Sequence, residues 1–269
     1  MGLLAALCVA LLPVVTGCGQ RSADQAATAA HGAGTVFGAP RGIGSGTVKT
    51  FLTLDPSGKP AEVGVVMSAA ALDGLPAEDA VPPEMVMLDF PPDAGATVFD
   101  HVMLNWNSHG HKPVELFGKP HFDIHFYLAD AASVMAINPT SADFTAKAAH
   151  LPEARYMPRD YAAEPGLPLA NTVPAMGLHW VDTTARLVPG SYDFTQIFIN
   201  GSWDGRYTFM EPMLTRDWLL TRPTIREDVK QPGAYQRDGY YPTVYSVRFD
   251  AAAQQYWISL GGLEMRHAT

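Results

Sequence analysis

Short runs of alternating apolar and polar residues dominate the chain from Thr47 onward. The clearest is VYSVRF over residues 244–249, in which every second side chain falls on one face of a strand. Clusters of turn-forming residues such as DPSG over 55–58 separate these runs. The pattern predicts strands over 48–54, 62–67, 85–90, 101–106, 121–128, 175–181, 194–199, 206–210, 241–249 and 255–263.

Helical patterns are few and short. Two Ala-rich segments, 130–137 and 141–150, predict helices, and residues 213–220 are compatible with a third. The proline-rich segment 151–174 predicts a long covering loop, and Asn200-Gly201 predicts a hairpin turn. These elements favour a mainly β fold with small helices (α+β), arranged as a single β-sandwich or barrel-like domain over residues 47–269.

The N-terminus has the pattern of an exported lipoprotein. An apolar run ends in Val15-Thr16-Gly17-Cys18, which resembles a bacterial lipobox, so residues 1–17 are predicted to be a signal peptide and Cys18 the lipidated residue. Acyl chains on Cys18 would anchor the protein to a membrane, on its periplasmic face or at the cell surface. Residues 18–46 are rich in Ala, Gly and Ser and predict a flexible tether.

Composition limits the partners and the metal ligands that the protein can use. A net charge of −9 argues against a nucleic-acid partner, which would need a basic face. Both cysteines, Cys8 and Cys18, precede the predicted domain, so that domain has neither a disulfide nor a thiolate ligand. Any metal ion in the domain must therefore be held by nitrogen and oxygen.

The segment WNSHGHKPVELFGKPHFDIHFY, residues 106–127, contains four of the nine histidines. On a strand, His121, Asp123 and His125 point to one face, while the apolar residues between them point to the other. His109 and His111 are also two residues apart, on what we expect to be the neighbouring strand. A histidine pair facing a His/Asp set predicts a divalent metal site, with zinc the first candidate.

The spacing of His121 and His125 leaves two arrangements open. On a regular strand they lie roughly 13 Å apart, too far to share one ion. A bend or bulge after Pro120 would bring both to one metal. Otherwise Asp123 and one histidine bind, and the other histidine or Asp123 itself has a supporting role.

Two later residues are further candidate ligands. His179 lies in MGLHW on a predicted buried strand, where a hydrogen-bonded core histidine is the alternative interpretation. Glu211 follows an apolar strand and is a candidate ligand, general base or surface residue.

The order GHKP…PHFDIHFY, PAMGLHWVD and FMEPMLT resembles a family of uncharacterised exported bacterial proteins, a domain of unknown function. The resemblance covers roughly residues 45–266, and the family's type member is controlled by an extracytoplasmic stress sigma factor in a thermophile. It implies a β-rich, exported homo-oligomer without an established activity. The family-like motifs contain His111, His121, Asp123, His125, His179 and Glu211, whereas His109 and Glu115 fall outside them.

Three functions remain open. The first is an exported, lipid-anchored protein that binds a divalent metal. The second is a metalloenzyme, either a hydrolase or an oxygenase. One form of it is a cupin-like enzyme, because His109, His111 and Glu115 match the first cupin motif and His179 imperfectly matches the second. The third is a metal-free ligand-binding or interaction module lined by Trp106, Trp180, Trp203 and Tyr207.

Overall fold

Two antiparallel β-sheets pack face to face, which confirms the predicted mainly β sandwich. The computed structural model describes residues 34–78, 85–163 and 171–269. The predicted signal peptide, the lipidated Cys18 and the tether up to residue 33 lie outside the described residues. Residues Gly34–Thr269 form one unit of the structure.

The first sheet has seven strands among the described residues, in the order β1-β3-β4-β16-β15-β13, with β2 also paired to β3. Its strands are β1 (Thr35–Phe37), β2 (Arg41–Ile43), β3 (Gly46–Leu54), β4 (Pro60–Ser68), β13 (Ile225–Asp228), β15 (Val244–Asp250) and β16 (Gln255–Gly261).

The second sheet has eight strands in the described ranges, in the order β5-β6-β7-β12-β11-β10-β8, with β9 also paired to β10. Its strands are β5 (Met85–Asp89), β6 (His101–Asn107), β7 (His121–Tyr127), β8 (Tyr161–Ala163), β9 (Thr172–Val173), β10 (Gly177–Asp182), β11 (Gln196–Trp203) and β12 (Arg206–Thr215). A small separate sheet pairs β14 (Gly239–Tyr241) with β17 (Glu264–Arg266).

The α-helices are short and lie between strands. Asp130 begins one of them by accepting a hydrogen bond from the backbone N–H of Ser133, and Thr215 does the same for Trp218 in another. The α-helices that lie within the described ranges are α1 (Val114–Phe117), α2 (Ala131–Met135), α3 (Phe144–Ala149) and α4 (Arg216–Leu220), with 3-10 turns at Ala69–Leu72, Pro92–Ala96 and Ala154–Tyr156. Among the described residues, none of the helices combines the length and the apolar character needed to cross a lipid bilayer.

One continuous hydrophobic cluster fills the space between the sheets. Val65 and Ile258 contribute from the first sheet, and Phe122, Ile124 and Phe126 contribute from β7 of the second. Because side chains alternate along a strand, the polar residues of β7 must point to the opposite, outer face of the second sheet.

The outer face of the second sheet is nevertheless buried. Two smaller hydrophobic clusters cover it, one around Phe117 and Phe194 and the other around Met103, Tyr127 and Phe209. The cover is formed by segments that leave the sheet and fold back over it, including α1 and the loop before β11. The sandwich thus has a buried polar layer beneath these segments.

Three local predictions differ from the structure. Strands β1 and β2 begin the domain before the predicted boundary at Thr47, because residues in the predicted tether pair with β3. Asn200 and Gly201 lie inside β11, and the hairpin turns at Asp204-Gly205 instead. β12 continues to Thr215, so the third helix is shorter than predicted.

Candidate metal centres

Strand β7 presents His121, Asp123 and His125 to the outer face of the second sheet, as the alternation predicted. The side chains of His121 and His125 are completely buried, and Asp123 is 4% exposed. β7 runs between β6 and β12 without a bulge against β6. A regular strand keeps His121 and His125 apart, so they cannot share one ion.

The first set of candidate ligands, which we name the His111 group, consists of His111, His121 and Asp123. The Nε2 atom of His121 lies 3.0 Å from Oδ1 of Asp123, and Nε2 of His111 lies 3.5 Å from Oδ2. His111 comes from the loop between β6 and α1 rather than from a strand. The predicted pairing of His109 and His111 on the upstream strand is therefore wrong, since β6 ends at Asn107.

Hydrogen bonds on the far side of each ring fix which nitrogen faces Asp123. Nδ1 of His121 lies 2.6 Å from the carbonyl oxygen of Lys119, and Nδ1 of His111 lies 2.8 Å from that of Lys112. A carbonyl oxygen only accepts, so both Nδ1 atoms donate. In the neutral imidazole, Nε2 then carries a lone pair directed at a carboxylate, an arrangement that a bound cation stabilises.

A hydrogen bond also holds the Asp123 carboxylate in position. The side-chain amide of Asn107 donates a 2.7 Å hydrogen bond to Oδ2 of Asp123. Oδ1 of Asp123 and Nε2 of His121 face each other at 3.0 Å, and with the proton of the neutral His121 on Nδ1 neither atom has a hydrogen-bond partner among the described residues. Two buried acceptor atoms that face each other in this way are a mark of a ligand pair.

The second set, which we name the His125 group, consists of His125, His179 and Glu211. Nε2 of His125 lies 3.3 Å from Oε2 of Glu211, and Nε2 of His179 lies 3.5 Å from the same oxygen. Three different strands supply these residues, β7, β10 and β12. His179 is 14% exposed, whereas the side chains of His125 and Glu211 are buried.

The separations in both groups suit one metal ion each. Two ligand atoms at roughly 2.0–2.1 Å from a tetrahedral ion lie about 3.4 Å from each other. The four histidine–carboxylate separations, 3.0, 3.5, 3.3 and 3.5 Å, lie close to this value.

A glycine and an aromatic ring shape the His125 group. The ring centroid of Phe209 lies 5.0 Å from that of His125 and 5.2 Å from that of His179. Gly201 pairs with both His179 and Phe209 across the sheet. A Cβ atom at Gly201 would lie only 1.9 Å from the Phe209 ring, so a glycine at this position leaves the space that the ring occupies beside the two histidines.

Electrostatics favour the ionised form of Asp123. Burial acts to raise the pKa of its carboxyl group, but His121 and His111 outweigh burial and hold that pKa well below its usual value. An ionised carboxylate is the form that binds a metal ion.

The buried histidines favour their neutral form. Burial lowers the pKa of His125 from 6.5 to about 4, against the opposing effect of the Asp123 carboxylate. Burial, reinforced by His125 and His111, lowers the pKa of His179 to about 3. Near neutral pH these imidazoles offer lone pairs to a metal ion without first releasing a proton.

All six predicted ligands are found in the two groups, His111, His121, Asp123, His125, His179 and Glu211. His121 and His125 belong to different groups, so the arrangement in which a bend after Pro120 brings both to one metal ion is wrong. His109 and Glu115 belong to neither group, so the cupin-like ligand set is not assembled among the described residues.

Sequence reasoning missed Asn107 as a partner of Asp123. The signal was present, because Asn105 and Asn107 alternate with apolar residues on β6 as the polar residues do on β7. Asn107 pairs with His121 across the sheet, but only the strand register reveals that its amide reaches Asp123.

The sequence model of the family described as "TTHB210-like: Hypothetical protein TTHB210" matches residues 55–106. This segment, less than half of the chain, includes β4, β5 and most of β6 and ends before all six candidate ligands. No curated protein and no solved structure matches the chain. The match supports a resemblance to a hypothetical-protein family over that segment, while the later motifs and the control by a sigma factor remain predictions.

Proposed function

We propose that this protein binds two divalent metal ions, one in the His111 group and one in the His125 group. The observation that carries the proposal is the orientation of His121. Its Nδ1 donates to a backbone carbonyl, and its Nε2 faces Asp123 Oδ1 at 3.0 Å, with neither of these two atoms hydrogen-bonded to any other described residue. A cation between these atoms would satisfy both.

Zinc is the first candidate ion. Imidazole and carboxylate ligands suit zinc in the absence of a thiolate, although nickel, copper, iron and manganese accept the same ligands. Because a metal ion binds the neutral form of imidazole, one carboxylate and two imidazoles would leave a divalent ion with a single positive charge in each site.

The proposal is tested by elemental analysis of the purified protein without affinity-tag histidines. We expect two equivalents of metal after loading with zinc and dialysis. His121→Ala should retain one equivalent by losing the ion of the His111 group, and His179→Ala should retain one by losing the other. The double variant should retain none.

His267→Ala is the matched control, because His267 is an exposed histidine bound to Asp238 outside both groups. It should keep two equivalents. If the parent protein takes up none of zinc, nickel, copper, iron or manganese, the metal-binding function is wrong. If His121→Ala loses both ions, the two sites are one.

A metalloenzyme is a second candidate, favoured by the number of ligands. Three protein ligands leave a fourth position for water, which zinc ionises at about pH 7. Both groups have a side open to solvent, since the His111 side chain is 39% exposed and the His179 side chain 14%. Hydrolysis of an activated ester by the zinc-loaded protein, abolished in His121→Ala or in His179→Ala but not in His267→Ala, would support catalysis; equal rates in all four proteins would exclude it for that substrate.

We also propose that the chain is exported and anchored to a membrane through lipid on Cys18. The support is the apolar run and the lipobox-like sequence Val15-Thr16-Gly17-Cys18. In the bacterial host, labelling with a radioactive fatty acid and membrane fractionation should find the protein lipidated and membrane-bound. Cys18→Ser should remain unlabelled and leave the membrane fraction, and an unlabelled parent protein would contradict the proposal.

A further inference from the structure

One cavity is lined by none of the residues of the two metal-ligand groups. It is a cleft of about 530 Å³, within the usual range for small-molecule sites. Its wall includes the β11–β12 hairpin, the segment after β7, helices α2 and α3, and the segment before β14. None of the six candidate metal ligands lines it.

Aromatic side chains form part of the wall of the cleft. Trp203 is partly buried there, with its ring centroid 5.5 Å from that of Phe144. Tyr235 and Tyr241 pack against each other at 4.6 Å. A partly open indole ring beside a cavity offers a flat apolar surface on which a ligand can stack.

Trp203 and Tyr207 were predicted to line a ligand surface, and both line this cleft. Trp106 and Trp180, predicted for the same surface, belong to the core between the sheets and do not line the cleft, whereas Tyr207 contributes to both. Their indole N–H groups donate to the carbonyl of Pro76 and to the hydroxyl of Ser202.

The acidic groups of the cleft already have partners. Asp143 forms a 2.8 Å ion pair with Lys147, and Asp204 lies 2.9 Å from Nδ1 of His150. Asp130 accepts two hydrogen bonds from Ser133. Of the cations in the wall, Lys147 pairs with Asp143 and Arg237 donates to the carbonyl oxygen of Val98, while Arg206 is exposed. Most charges of the wall are therefore engaged within the protein.

We propose that this cleft binds a neutral saccharide. A sugar ring has an apolar C–H face that stacks on the indole of Trp203, and its hydroxyls can both donate and accept hydrogen bonds along the polar part of the wall. A saccharide without net charge suits a wall whose carboxylates are already paired within the protein. The proposal does not depend on metal binding, because the lining residues and the candidate ligands are separate sets.

The experiment is titration of the purified protein with maltose, cellobiose and diacetylchitobiose, followed by isothermal calorimetry and tryptophan fluorescence. We expect at least one to bind, and Trp203→Ala to weaken that binding by about tenfold or more. Trp218→Phe, which alters an indole on α4 outside the cleft, should bind like the parent protein.

The thermal midpoint of Trp203→Ala, measured beside that of the parent protein, separates a loss of binding from a loss of the fold. No binding of the three saccharides up to about 10 mM, or equal affinity in the parent and the folded Trp203→Ala protein, would overturn the proposal. Binding of choline or phosphate in place of the sugars would also overturn it.

Discussion

At the scale of single residues, hydrogen bonds behind the candidate ligands are what orient them. His121 and His111 are fixed through Nδ1 to backbone carbonyls, and Asp123 is fixed by the amide of Asn107. Partners of this kind set the tautomer and direction of a ligand before the ion arrives. The metal affinity should therefore depend on residues that never touch the metal.

Asn107 provides the direct test of this dependence. Asn107→Ala removes the 2.7 Å hydrogen bond to Oδ2 of Asp123. We expect the zinc affinity of the His111 group to fall by about 10- to 100-fold, because the carboxylate is no longer held in position. Competition with a chromophoric chelator in the His179→Ala background, which isolates this group, measures the change; an unaltered affinity would show that Asn107 does not position Asp123.

Buried neutral histidines also make the metal-free protein sensitive to acid. The pKa of His125 is about 4 in the folded chain and about 6.5 in the unfolded chain. Below pH 6.5 the unfolded chain therefore takes up a proton that the folded chain refuses. The free energy of unfolding should decrease as the pH falls from about 6.5 to about 4, by up to about 3 kcal/mol for this residue alone.

Urea unfolding of the metal-free protein at about pH 7, 5.5 and 4.5 measures this effect. His179 and Asp123, whose pKa values are also lowered on folding, act in the same direction. His125→Gln should give a shallower decrease, since glutamine does not titrate. A stability of the parent protein that is constant over this range would contradict the burial of a neutral His125.

At the scale of elements, the His125 group depends on close contact between β10, β11 and β12. Gly201 on β11 lies between His179 on β10 and Phe209 on β12. The Phe209 ring occupies the space that a side chain at Gly201 would need. The sheet can therefore bring His179 and Glu211 to His125 only while this position has no side chain.

Gly201→Ala should both destabilise the fold and impair the His125 group. The added methyl group would displace the Phe209 ring, and overpacking of this kind costs about 1–3 kcal/mol. Denaturant unfolding and zinc content are the measurements, with one equivalent of zinc expected instead of two. Gly42→Ala is the matched control on β2, where a Cβ atom meets no neighbour within 4 Å; equal effects of the two substitutions would contradict the packing argument.

At the scale of the whole molecule, the sandwich and the candidate ligands occupy different layers. The core between the sheets contains none of the six ligands, which lie on the outer face of the second sheet. The fold should therefore form without metal and gain stability when metal binds, since only the folded chain brings the ligands together.

The thermal midpoint tests this separation. Free zinc at 100 times the dissociation constant should add about 2.7 kcal/mol per site, which raises the midpoint by roughly 5–10 °C for a chain of this size. A chelator should reverse the rise and leave a folded protein. The double variant His121→Ala/His179→Ala should respond to neither, and unfolding of the parent protein by the chelator would show that metal is needed for the fold itself.

The sequence by itself determined the fold class and the identity of the candidate ligands. Alternation along β7 placed His121, Asp123 and His125 on one face, because successive side chains of a strand point to opposite sides. The last hairpin, β15 and β16, was also predicted, since its apolar residues alternate and a turn lies between them. Such features depend only on neighbours in the chain.

Only the tertiary structure decided how the ligands are grouped. His179 and Glu211 reach His125 through the register of strands far apart in sequence, and His111 reaches Asp123 from a loop whose path no periodicity specifies. The strands β1 and β2 and the extension of β11 were missed because these short or glycine-containing segments form strands only where a neighbouring strand supplies hydrogen bonds. Long-range pairing thus produced two three-residue groups where the local pattern had predicted one site.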